Sequence, residues 1–163
     1  MIPQTATFLA ARDFLLAHRE DYRRAYDEFT WPTFDSFNWA SDWFDAVAAN
    51  QPRVAALRMV EEDGGETSVT YAQMSDRSKR AATWLDEQGL VRGDRVLLFL
   101  GNCVPLWELM LACIRLGLVM IPATTLLAPA DVRDRIRRGN VRAVVSGSDD
   151  VGRIGDEAAH CIR

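Results

Sequence analysis

Lysine is nearly missing from this chain. Lys79 is the only one in 163 residues, and eighteen arginines supply the rest of the basic complement. Chemistry that needs a lysine amine therefore has a single candidate. Histidine is almost as scarce, with only His18 and His160, and no convincing set of acidic residues stands at the spacing that would complete a metal site. Three cysteines, Cys103, Cys113 and Cys161, form no C-x-x-C pair. An odd number without a secretion signal reads as reduced thiols in a cytoplasmic protein. The first twenty residues lack a basic start and a long apolar core, so they are expected to be neither signal peptide nor anchor. Arg115 and scattered Pro and Gly residues interrupt the long apolar stretches, so no membrane span is expected. The net charge of −4 argues against a nucleic-acid surface built on bulk positive charge.

What is present is a chain of ordinary domain size with 48% hydrophobic residues, enough for a real core. Residues 5–19 and 21–28 carry helical periodicity, and Trp31-Pro32 ends that region. Asn38 fits an N-cap for a helix to about Ala49, with Trp39, Trp43 and Val47 on one side. The aromatic density there fits core packing better than a ligand cage. Residues 53–60 and 66–69 read as a hairpin around an acidic, glycine-containing turn. Thr70-Tyr71-Ala72-Gln73 matches a capping box for a helix to Gln88, with Tyr71, Met74, Ser78, Ala81 and Leu85 buried and Gly89 as its left-handed stop.

From Arg95 onward the pattern alternates. Strands are expected at 95–100, 118–121 and 141–145. Helices are expected between them, one with Pro105 in its first turn and Gly117 at its end, the other over 129–138 ending at Gly139. A further helix is expected after Asp149. The order strand–helix–strand–helix–strand requires a parallel sheet with crossover helices, so the fold class is α/β, a layered parallel sheet with flanking helices behind an N-terminal helical region. Ligands of such sheets gather beyond the carboxyl ends of the strands. Three loops leave those ends: Gly101–Cys103, Pro122–Thr125 and Ser146–Ser148. Their small residues fit a tight turn and a close ligand approach equally well.

Four segments, in this order and spacing, carry a family resemblance: Phe37-Asn38-Trp39-Ala40, Val69-Thr70-Tyr71-Ala72-Gln73-Met74, Gly93-Asp94-Arg95-Val96, and Leu116-Gly117 leading to Ile121-Pro122-Ala123-Thr124. The chain resembles the AMP-forming acyl-CoA synthetases, medium-chain branch, within the adenylate-forming superfamily. The resemblance implies the first subdomain of that family's large domain, with residues 1–36 a helical extension and 37–163 the front of the large domain, truncated. It implies a parent enzyme that uses ATP, Mg and CoA to activate a carboxylic acid as an acyl-adenylate and pass it to the CoA thiol. A carboxylate is a poor acyl donor, and the adenylate gives it a leaving group; metal and cationic groups offset the phosphate charge. The family's lysine-ended phosphate loop, its later ribose-binding aspartate and its C-terminal lysine do not occur here. The expectation is an N-terminal fragment, inactive alone, binding none of these ligands tightly and prone to self-association through surfaces left bare.

The resemblance also implies CoA-side residues. Thr124 and Thr125 fall near the channel for the pantetheine arm, and Arg153 is the nearest match to a basic residue that approaches the 3′-phosphate. No catalytic residue and no metal ligand is expected. Arg133, Arg135, Arg137 and Arg138 spread around their helix beside Asp131 and Asp134, which reads as a solvated face, as does Lys79. Two other readings stay open. A stand-alone nucleotide-binding domain lacks support, because Gly101-Asn102-Cys103-Val104-Pro105 is no G-x-G-x-x-G turn. A non-catalytic interaction module shares the expectation of exposed apolar surface.

Overall fold

The computed structural model describes residues 3–155 and 161–162. Helices α1 (Pro3–Ala17) and α2 (Tyr22–Glu28) lead into a π-helical turn, Trp39–Phe44, which continues as α3 (Asp45–Asn50). Strands β1 (Ala55–Val60) and β2 (Glu66–Thr70) pair antiparallel, with Gly64 at φ +83° in their turn. Then follow α4 (Tyr71–Glu87), β3 (Arg95–Phe99), α5 (Val104–Leu116), β4 (Val119–Ala123), α6 (Pro129–Gly139), β5 (Ala143–Ser146), a 3-10 turn with the short α7 (Val151–Ile154), and β6 (Cys161–Ile162). The four later strands form one parallel sheet in the order β4-β3-β5-β6. This is the expected α/β class.

Local chemistry explains most boundaries. The Thr70 Oγ1 accepts from the Gln73 amide at 3.3 Å while the Gln73 side chain takes the Thr70 amide at 2.9 Å, the anticipated reciprocal cap. Gly89 and Gly117 adopt φ +79° and +69°, so each stop uses a conformation that a Cβ would strain. Residues Val96 to Phe99 are fully buried, because helices cover both faces of β3. Leu98, Leu109, Cys113 and Leu85 pack on the side covered by α4 and α5. Leu97, Phe99, Val132 and Ile136 pack on the side covered by α6.

Several expectations need correction. The helix after Asn38 begins as a wide turn, closed by the Asp45 amide on the Ala40 carbonyl. Its buried stripe is Ala40, Phe44 and Ala48, one residue on from the predicted Trp39, Trp43 and Val47. Small alanines let the turn sit close to α5, and the two indoles lie tilted to one another beside it, their centroids 4.6 Å apart. In α4, Ser75 and Ala82 are buried while Tyr71 and Ala81 are only partly so; Ser75 is admitted because its hydroxyl donates to Asp45 at 2.7 Å. Helix α6 does end at Gly139, and the left-handed residue that follows it is Asn140, at φ +46°. A Cβ on Gly139 would meet the tip of the Ile121 side chain, Cδ1, at 2.9 Å. The helix expected after Asp149 is one short turn, and β6 adds a strand that the pattern did not reveal; residues 156–160 and 163 lie outside the described residues.

Two polar junctions tie the helical front of the chain to the sheet unit. The Asn38 Oδ1 accepts from the Ala40 and Ser41 amides, and its Nδ2 donates to the Ile114 and Arg115 carbonyls at 2.9 and 3.1 Å. One side chain therefore caps the start of one helix and the end of another. Seven residues on, Asp45 accepts from both Arg115 Nη atoms at 2.8 and 3.0 Å and lies 3.4 Å from Lys79 Nζ. Lys79 is thus exposed but paired, not merely solvated. Burial alone would raise the Asp45 pKa, but hydrogen bonds from Arg115 and Ser75, with the charges of Arg115 and Lys79, outweigh it and hold the carboxyl below its ordinary 3.8.

Asn38→Ala removes one cap and strands two carbonyls, so urea unfolding should show a loss of about 2 kcal/mol. Because folding lowers the Asp45 pKa, its stabilisation is present at neutral pH and is lost as pH falls through the folded value, below 3.8. Asp45→Asn should therefore lower stability at neutral pH and flatten its acid dependence; an unchanged acid limb in urea titrations would exclude Asp45 as a source.

Candidate ligand site at the carboxyl ends of the strands

The sheet order decides where a ligand can sit. Strand β3 leaves through α5 on one face, and its neighbour β4 leaves through α6 on the other. Their outgoing loops therefore part, and a crevice opens between the carboxyl ends of β3 and β4. The crevice lies beyond the carboxyl ends of strands, where open α/β sheets take ligands, and next to the switch point of this order, which falls between β3 and β5. A cleft of about 310 Å³ lies there. Leu98, Leu100, Leu106 and Pro122 form its apolar wall, and Gly101, Asn102 and Thr124 lie at its polar side.

Gly101 needs no left-handed backbone, and a Cβ built on it meets nothing within 4 Å. Neither strain nor packing accounts for the glycine, which lies in the cleft lining with open space where its side chain would be. The Asn102 Oδ1 accepts from Trp107 Nε1 at 3.3 Å, which orients the amide from one turn into α5. The Thr124 Oγ1 accepts the Leu126 amide at 3.2 Å and closes the turn that follows β4.

Of the three predicted loops, those after β3 and β4 line the cleft together. The loop after β5 does not; Ser146 is buried and Ser148 bonds the adjacent Asp149 at 3.1 Å. Of the predicted residues, Thr124 faces the cleft. Thr125 stands next to it and offers its carbonyl to Arg153 Nη1 at 2.5 Å. Arg153 also bonds Asp150 at 2.9 Å and the Leu127 carbonyl, and its guanidinium lies 5.4 Å from the centroid of the Phe99 ring. Sequence reasoning missed Asp150 and Asn102. The i,i+3 spacing of Asp150 and Arg153 was a readable signal for the first; the Asn102–Trp107 bond depends on the loop's path and had none.

A second recess, about 350 Å³, lies between the π-helical turn, β1 and α5, with Trp39 and Trp107 at its flanks and Phe44 and Leu111 inside. No polar side chain lines it. The four arginines of α6 diverge, and Arg137 and Arg138 pair with Asp134. Among the described residues no group of three or more His, Cys, Asp or Glu could hold a metal ion.

A family model described as AMP-binding enzyme matches residues 44–161. The chain belongs to the AMP-binding enzyme family. Acyl-coenzyme A synthetase ACSM2B, mitochondrial, of Homo sapiens is 32% identical over 131 residues, covering 77% of this chain and 23% of its own. The chain thus spans about a quarter of that relative's length. The Mycobacterium tuberculosis fatty acyl CoA synthetase superposes with a TM-score of 0.64 at 25% identity, over 77% of this chain and 26% of the other. Klebsiella oxytoca NpsA in complex with 3-hydroxyanthranilyl-AMSN shares the fold, with a TM-score of 0.67 at 23% identity over 78% of this chain and 25% of that one. The human relative is mitochondrial by name, so it lends no support to the cytoplasmic expectation. Among the described residues no helix is long and apolar enough to cross a membrane.

The residues of this AMP-binding enzyme chain fit the group's ligands unevenly. Lys79, the sole lysine, is on α4 and paired with Asp45, so no lysine-ended loop stands ready for ATP phosphates. The cleft, with an apolar wall and a hydrogen-bonding rim, suits a narrow arm of alkyl and amide groups. Neither described cysteine lines the cleft, and Cys113 is buried, which pushes its thiol up to about 12. With Cys161→Ser in place, Ellman's reagent should titrate one thiol in the native protein, the partly exposed Cys103, and two after unfolding; rapid native labelling of Cys113 would contradict the packing.

Proposed function

We propose that this chain is the opening α/β unit of an AMP-forming acyl-CoA synthetase. The whole enzyme activates a carboxylic acid, of medium chain length, with ATP and Mg, and transfers the acyl group from the adenylate to CoA. The observation that carries the reading is the crevice between β3 and β4, with its open glycine and polar rim, in a chain of the AMP-binding enzyme family. The residues here act on the thiol side. Asn102 and Thr124 bond amides of the pantetheine arm, the leucines and Pro122 receive its alkyl segments, and the loop after β4, held by Arg153, gives the arm a fixed wall. ATP phosphates and metal are held by residues beyond this chain, so the chain alone does not form the adenylate.

The test is acid-dependent ATP–pyrophosphate exchange with a series of saturated fatty acids. The intact protein should exchange, with highest activity at medium chain lengths, and the 163-residue chain alone should not. Gly101→Val fills the open side of the cleft, so it should raise the KM for CoA by about tenfold while exchange, which precedes CoA, stays unchanged. An unchanged KM would remove the cleft from the CoA path. A second reading, a non-catalytic interaction module, draws on the apolar recess flanked by Trp39 and Trp107. It requires concentration-dependent self-association in light scattering and no exchange from the intact protein.

A further inference from the structure

Arg153 arrives at the site from behind. The cleft lies on the side of the sheet where Leu98 and Leu106 pack with α5. Phe99, beneath the guanidinium, belongs to the opposite face, with α6, α7 and Leu127. The segment Thr124–Leu127 bridges the two faces as it leaves β4. Its polar backbone is gripped from the α6 side: Nη1 donates to the Thr125 carbonyl and to Asp150, and Nη2 donates to the Leu127 carbonyl. The next residue, Ile154, is fully buried in the same apolar cluster, which fixes the helical turn that carries the arginine. Leu127 packs into that cluster too, whereas Leu126 is 89% exposed. The segment is therefore pinned at three points: the Thr124 hydroxyl, the Leu127 side chain and the Arg153 fork.

We propose that Arg153 is a positioning residue, a clamp that holds the Thr124–Leu127 segment as a rigid rim of the cleft for the pantetheine arm of a thiol substrate. The functional half of this proposal rests on the CoA-side reading above. The contacts named commit both terminal nitrogens and the ring-facing surface of the guanidinium to the protein itself, so Arg153 acts on the substrate through the loop rather than as a phosphate ligand. Only a planar fork can meet two carbonyls and a carboxylate while lying over a ring; an ammonium reaches fewer of them at once. A loop fixed before the substrate arrives loses less freedom on binding.

The experiment compares Arg153→Ala, Arg153→Lys and Asp150→Asn with the wild type in the intact protein. Hydrogen exchange of the Leu126 and Leu127 amides should quicken about tenfold in Arg153→Ala, with partial protection in the other two, while β3 and β5 amides keep their protection. Calorimetry with CoA and with 3′-dephospho-CoA should show both affinities falling by the same factor, about fivefold, and Arg153→Lys should not restore them fully. Unchanged loop exchange in Arg153→Ala overturns the clamp. A loss confined to CoA, with dephospho-CoA unaffected, overturns the positioning role and makes Arg153 a ligand of the 3′-phosphate. Binding of neither compound by the wild type overturns the CoA-side reading and the functional half of the proposal, while the exchange data still decide the clamp.

Discussion

The last turn of α5 is where this molecule is joined. Its carbonyls at Ile114 and Arg115 would be orphans at a helix end, and they take Asn38 from 76 and 77 residues away. The same turn sends Arg115 into Asp45, which also draws Ser75 and Lys79 of α4. Three segments distant in sequence are thereby set in one arrangement. Removing either acceptor or donor would leave a half-buried polar group without its partner, which costs more than the net value of the bond. The helix α5 held in this way is the one that covers one face of β3 and forms the floor of the cleft through Leu106.

From that junction the site follows by topology. The chain moves from β3 outward to β4 through a helix on one face and returns past β3 to β5 through a helix on the other. The outgoing loops of β3 and β4 therefore leave toward opposite faces, and the cleft lies between them. Side chains only decide what the crevice accepts. Open space at Gly101, an amide at Asn102 and a hydroxyl at Thr124 give it hydrogen-bonding capacity, while leucines and Pro122 keep it narrow and apolar. The proposed division of labour is spatial: the cleft face would meet the ligand, while Arg153, over Phe99 on the opposite face, holds the loop between them.

Much of the fold could be read from the residues. The capping box at Thr70–Gln73, Pro105 early in α5 and Gly117 after it are local devices whose partners lie within a few residues, so spacing reveals them. Reading failed where partners are remote. Ser75 is buried only because Asp45 arrives from another helix. The buried stripe after Asn38 keeps the expected four-residue spacing but starts one residue on, because Ala40 and Phe44 are the residues that pack with Leu111 of α5. The short β6 lies in a stretch whose apolar signal, Cys161-Ile162, is too brief for any periodicity to emerge.

The candidate site divides the same way. By itself, the sequence determined the parallel α/β class, the loops at the strand ends and the family resemblance, since these rest on periodicity, turn chemistry and motif order along the chain. Only the tertiary structure decided that the loops after β3 and β4 share one cleft while the loop after β5 stands apart. It alone turned the Arg153 guanidinium inward onto the Thr125 and Leu127 carbonyls. A side chain's charge is written in the sequence, but which acceptors it meets depends on where the backbone brings them, and that is set by long-range packing.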